Sequence, residues 1–438
     1  MKRNSTSAAE GRRRGFAAAL ILAALLTGAA VRATNYDESK VGVYTLPDPL
    51  VLKNGQPVRD ADTWLRLRRP EILNFYLEDI HGHSPARPPG MTFTVFDEDR
   101  HALGGKAIRK QVTINFFGTA GGPKADMLIY LPADAPQPVP VFLCLSFNAI
   151  DQIWPDPAIR LEKSWSRKTV SWQRDTDKDR GRAKGWPVDR ILARGYGIAV
   201  INYCDIEPDL PDRGVTSEQK YGVRVHYLKP GQTGPAPDEW GAISAWAWGL
   251  SRGLDYLETD KDVDAKRIIA LGQSRLGKTV LWAGAQDTRF AMVVASCSGE
   301  MGAALSRRDY GESIDDMARN YSYQFCANFK QYAHHWNDLP VDSHMLISLI
   351  APRPLYLNTG SLDRWSDPHG EFLAAVAAAP VYRLFGEEGL GTDQMPPLDT
   401  PLLKGMIGFQ CHTGKHEILA SDWDRFLDFA DLHLKPKS

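Results

Sequence analysis

Long apolar runs, unbroken by the polar alternation of a half-exposed sheet, recur through most of this chain. Val139–Phe147 and Gly197–Tyr203 are two of them, with a helical period over Val188–Arg194 between. Such runs, bounded by turn residues, read as strands buried on both faces. Ala242–Leu257 carries a longer helical pattern, and Arg267-Ile-Ile-Ala-Leu-Gly272 is a strand that feeds another. Pro352–Gly360 and Gly405–Cys411 are the last strand-like runs, the second followed by a helix. Upstream, Gln111–Leu131 holds two alternating runs joined by Gly121-Gly122-Pro123, an antiparallel hairpin. Strands alternating with helices predict an α/β fold, a mostly parallel sheet with helices on both faces and ligands at the carboxyl ends of the strands.

Three segments stand outside that frame. Residues 34–60 are polar and irregular, an arm expected to lie across the body. Residues 151–186 follow a core strand and set Trp154, Trp165, Trp172 and Trp186 among many basic and acidic residues. An insertion there faces the ligand side, and two readings stay open: contact with a charged, aromatic-bearing ligand, or tryptophans plugged into the body. At the N-terminus, Arg12-Arg13-Arg14 precedes the apolar run Phe16–Leu26, and Val31-Arg32-Ala33 offers a cleavage site. Residues 1–33 therefore read as a signal peptide with a loose twin-arginine pattern, leaving 34–438 as a single domain. The expected compartment is the periplasm or the exterior, with no stable membrane association after cleavage.

Composition narrows the function. Lys and Arg total 52 against 53 Asp and Glu, a formal charge of -1, which argues against nucleic acid as a partner. Five cysteines, few and odd in number, predict no disulfide framework. His81/His83 and His334/His335 lack further ligands at metal spacing and read as loop histidines, so no metal and no cofactor is expected.

The chemistry gathers at Gly272-Gln273-Ser274-Arg275-Leu276-Gly277-Lys278-Thr279. A strand turning sharply into a helix can hold the Ser274 hydroxyl clear of the sheet, as a nucleophile requires. The same residues spell G-x-x-x-x-G-K-T, the phosphate-cradling loop, although no apolar strand ending in a magnesium-binding Asp accompanies it. For a serine hydrolase the acid and the base must follow in chain order. Asp363 lies after the strand ending at Gly360, and His412 and His416 both follow the last strand. His416 is the better base, because it sits deeper in the loop.

These residues resemble the glucuronoyl esterases, carbohydrate esterase family 15, in its bacterial branch. The G-Q-S-R-L-G-K motif matches, as do Trp240–Trp248, Ala304–Glu312, Leu339–Met345, Ala351–Pro354 and Asp363–Pro368. The resemblance implies an α/β-hydrolase fold and hydrolysis, through an acyl-enzyme, of esters joining lignin alcohols to the glucuronic or 4-O-methylglucuronic acid of xylan. The implied partners are glucuronoxylan and lignin–carbohydrate esters. Ser274 matches the nucleophile, His416 the base and Arg275 the arginine over the oxyanion. Lys278, Glu312 and Trp365 match the residues that hold the sugar. Fungal relatives carry the triad glutamate where this chain has Cys297; Asp363 is then the expected acid, with Glu300 a rival. An acetyl-xylan or other small-ester esterase, and a non-catalytic carbohydrate-binding protein, remain alternatives.

Overall fold

The structure is a computed structural model that describes residues 33–118, 121–210 and 222–435. The signal-peptide segment therefore lies, but for Ala33, outside the described residues. Among the described residues eleven strands form: β1 Thr92–His101, β2 Ala107–Asn115, β3 Lys124–Pro132, β4 Val139–Ser146, β5 Lys163–Ser166, β6 Ser171–Arg174, β7 Gly197–Asn202, β8 Val263–Gln273, β9 Met292–Ser296, β10 Leu355–Gly360 and β11 Ile407–His412. Nine make one sheet in the order β1-β2-β3-β7-β4-β8-β9-β10-β11, while β5 and β6 pair as a separate hairpin. The sheet is antiparallel from β1 to β7 and parallel from β7 to β11. With helices on both faces, this is the α/β-hydrolase fold.

The unbroken apolar runs follow from that arrangement. Along β4, Val141, Leu143 and Leu145 enter the core on one face while Phe142 and Cys144 enter the core on the other. β8 divides in the same way, with Ile268 and Ala270 opposite Ile269 and Leu271. A strand covered on both sides has no polar face to display. The helix Ala242–Leu257 is buried at every position, including Arg252 and Asp255, which pair at 2.9 Å. On the opposite face the helix Ala420–Leu434 packs Trp423, Phe426, Leu427 and Ala430 into the second core.

Two elements differ from the sequence pattern. The edge strand β1 was not anticipated, because its Asp97, Glu98, Asp99 and Arg100 break any apolar alternation; charges and a register shift between Val95 and Asp97 suit an edge that must not pair further. A helical run over residues 61–80, alternating α- and π-helical turns, also lacked a clear signal. His81 lies in the bend that follows this run, yet it is buried, 4.7 Å from the Trp282 ring and stacked near Tyr76 and Phe325, and burial pushes its pKa down to about 3. The arm does cross the body, with Glu38 2.8 Å from Arg308 and the Asn35 carbonyl accepting from Gly311 N–H. All five cysteines are buried free thiols. Among the described residues, no helix is long and apolar enough to cross a membrane.

Candidate active site

β8, near the middle of the sheet, delivers Ser274 to the N-terminus of the helix Arg275–Gln286. Ser274 holds φ 59° and ψ -130°, a strained conformation for a residue with a side chain, and its N–H is tied to the Ser296 carbonyl at 2.8 Å. The flanking glycines permit so tight a turn. A Cβ on Gly272 would stand 2.2 Å from the Leu276 carbonyl oxygen, and one on Gly277 2.9 Å from that of Ser296. The elbow therefore needs Gly on both sides, for close approach of backbones.

β10 and β11 are parallel neighbours in register, Gly360 beside His412, so their C-terminal loops leave the sheet together. Ser361 N–H donates to the His412 carbonyl and Leu362 N–H to that of Gly414. This zipper brings Asp363 against His416, with Oδ2 2.6 Å from Nδ1. An ionised carboxylate can only accept, so Nδ1 carries the proton and Nε2 presents a lone pair. Burial alone would raise the pKa of Asp363; the hydrogen bond from His416 and its electrostatic attraction, with help from Ser366, outweigh it and hold the carboxyl below its usual range. His416 itself is 38% exposed, and Asp363 is buried beneath it.

The rivals lie elsewhere. His412 is fully buried, with Nδ1 3.2 Å from Asp422 at ion-pair distance but out of hydrogen-bond alignment. Glu300 accepts from the Ser306 hydroxyl and from Met301 N–H, and its burial pushes its pKa well up. Neither lines the cavity of about 260 Å³ that Ser274, Arg275, Lys278, Cys297, Glu312, Asp363, Trp365 and His416 share.

Within that cavity the sugar-holding candidates form one cluster. Lys278 Nζ donates to Glu312 Oε2 at 3.0 Å, and Trp365 Nε1 donates to Glu312 Oε1 at 3.0 Å. Lys278 is thus held by a carboxylate rather than poised over a phosphate loop. Arg275, which lines the cavity, donates from Nη1 to Asp209 at 2.6 Å and to the Tyr323 hydroxyl at 3.3 Å. Burial opposes its charge, yet Asp209 more than compensates and raises its pKa.

Sequence reasoning missed Asp209, which also accepts from the hydroxyls of Tyr203 and Tyr323 and lies 3.2 Å from Arg167. It also missed Met317, Tyr321 and Gln324, which complete the cavity wall. None sits in a motif, and no periodicity marks them. The insertion docks on the body at this point: Trp165 Nε1 donates to the Asp209 carbonyl and Arg167 to that of Leu210.

A nucleophile elbow, a hydrogen-bonded His–Asp pair and a fixed guanidinium on an α/β-hydrolase sheet define a serine ester hydrolase. The comparisons give its family. A family model for glucuronyl esterase, fungi, matches residues 235–386. The chain is 45% identical over 408 residues to carbohydrate esterase MZ0003 from an unknown prokaryotic organism, covering 92% of this chain and 93% of that protein. A solved glucuronoyl esterase from Solibacter usitatus superposes with a TM-score of 0.86 at 48% identity, covering 91% of this chain and all (100%) of that one. A promiscuous CE15 esterase from a marine bacterial metagenome gives 0.84 at 43%, covering 92% and 100%. The chain belongs to carbohydrate esterase family 15, the glucuronoyl esterases, and is a carboxylic-ester hydrolase.

Proposed function

We propose that this esterase cleaves, outside the cytoplasm, the ester between glucuronic or 4-O-methylglucuronic acid on xylan and a lignin alcohol. One observation carries the chemistry: the Asp363–His416 pair opens into the same cavity as Ser274 and the Lys278–Glu312–Trp365 cluster. His416 Nε2 takes the Ser274 proton as the oxygen attacks the uronate carbonyl, and Arg275 donates to the oxygen that becomes negative. His416 then returns the proton to the departing alcohol, and water repeats the sequence on the acyl-enzyme. Lys278 and Glu312 offer a donor and an acceptor to sugar hydroxyls, and Trp365 an aromatic edge.

The alcohol must leave beside His416, because that ring protonates it. A second cavity of about 190 Å³ shares His416 and is walled by Phe147, Asn148, Lys184, Trp186 and Ile418. Its aromatic lining suits an aryl-bearing alcohol, and Lys184 and Trp186 belong to the insertion. The apolar run Phe16–Leu26 supports export through a signal peptide.

The test compares benzyl glucuronate with acetylated xylan. Preference for the glucuronate ester is expected; preference for acetate would overturn the substrate. A broader reading, in which small esters are also cleaved, is favoured by the promiscuity of the marine relative. Trp186→Ala should slow benzyl glucuronate more than methyl glucuronate, and equal loss on both would remove the alcohol from that cavity.

A further inference from the structure

We propose that Cys297, Asp363 and His416 form a binding site for a thiophilic divalent cation, zinc(II) above all, and that its occupation switches the esterase off. The sequence gives no metal-ligand spacing here, because the three residues come from three separate strand ends. Folding brings one sulfur, one carboxylate oxygen and one ring nitrogen within 4.8 Å of one another. Donors about 2.0 to 2.3 Å from a common zinc lie about 3 to 4 Å apart, so a small swing of the exposed His416 ring closes the set. A water would supply the fourth position.

The backbone aims the sulfur. β9 ends at Ser296, and Cys297 takes a left-handed φ of 47° with its N–H bonded to the Asn358 carbonyl at 2.7 Å. A side chain held at positive φ is uncommon, and here it turns Cys297 out of the line of the strand. This turn places Cys297 on the wall of the catalytic cavity together with Asp363 and His416, although only 1% of its surface is exposed. A cation that enters the substrate cavity therefore meets all three donors at its floor.

No catalytic step uses the thiol. Burial, with Glu371 and Asp363 nearby, pushes its pKa up, so at rest it is a neutral S–H and does not disturb the pair beside it. On binding, the Cys297 proton leaves to solvent as the zinc–sulfur bond forms. His416 Nδ1, the nitrogen turned toward Asp363, gives up its hydrogen bond to become a ligand. The Nδ1 proton is released to solvent and Nε2 takes one up from solvent, so the neutral imidazole now carries its proton on the atom that must accept that of Ser274. Asp363 is withdrawn from its partner in the same event. The base and its orienting carboxylate are lost together, with no change in the sugar cluster.

The experiment uses the full protein in two independent readouts. Titration with zinc should suppress ester turnover at micromolar concentration, and EDTA should restore it. Cys297→Ala, referred to its own metal-free rate, should need roughly tenfold more zinc or worse for half-inhibition. Cobalt(II) added to the Ser274→Ala protein should give a thiolate-to-cobalt charge-transfer band in the near ultraviolet that Cys297→Ala lacks. This band does not depend on which ester is hydrolysed, so its absence counts against the metal site alone. Inhibition of equal strength in the parent and Cys297→Ala, inhibition absent from the parent, or a cobalt spectrum without sulfur character would each overturn the site.

Discussion

Asp363→Asn is the perturbation that probes the catalytic pair most directly. The carboxylate is 6% exposed and sits 2.6 Å from His416 Nδ1, where it can only accept. An amide of the same shape can turn its NH2 toward the ring, and that stabilises the tautomer with the proton on Nε2. The base is then in the wrong form to take a proton from Ser274. Loss of the correct tautomer costs about two to four orders of magnitude in kcat, roughly 3 to 5 kcal/mol of barrier. The fold has less at stake, because the zipper between the two loops is made by backbone groups.

The pH behaviour has a definite sign. The folded pKa of Asp363 is below its ordinary value, so the pair adds stability at pH above the unfolded value and loses it as pH falls through the folded one. Asn removes this contribution, so the variant should lose less stability on acidification than the parent does. The assay is kcat for benzyl glucuronate from acid to neutral pH, with circular dichroism and Tm as controls for folding. Activity within about tenfold of the parent, in a folded variant, would refute Asp363 as the orienting acid. Glu300→Gln is the control: its carboxyl faces Ser306 and Met301, so kcat should change far less.

Ser274→Ala should abolish ester hydrolysis by several orders of magnitude without unfolding the protein, as read by turnover and Tm; residual activity within about tenfold would remove Ser274 as nucleophile. Lys278→Ala and Glu312→Ala each delete a charged hydrogen bond of about 1.5 to 3 kcal/mol, so kcat/KM on glucuronate esters should fall roughly 10- to 150-fold while an activated acetate ester is nearly unaffected. Equal losses on both substrates would make these residues structural, and Tm should fall because each change leaves a buried charge without its partner. Asp209→Asn keeps the Arg275 charge but weakens its anchor, so kcat should drop by about tenfold with KM little changed; an unaltered kcat would show that Asp209 does not position the guanidinium.

Much of this protein was legible in its residue order. The glycines around Ser274 specify a strand-to-helix elbow, because Gly272 and Gly277 stand where a Cβ would strike a carbonyl oxygen. The apolar runs specify strands buried on both faces, and the helix Ala242–Leu257 has the bounds that its period predicts. These are local features, set by neighbours within a few residues.

Tertiary structure decided what depends on distant partners. Both His412 and His416 lie near an aspartate, yet only one of them shares the Ser274 cavity, and that follows from the register of β10 beside β11. Asp209 reaches Arg275 across 66 positions, and Tyr323 reaches Asp209 across 114. No periodicity records such separations. The insertion is docked through Trp165 and Arg167, which its composition left open. Cys297, Asp363 and His416 converge for the same reason: parallel strands end on one side of a sheet, and loops that are remote along the chain meet there.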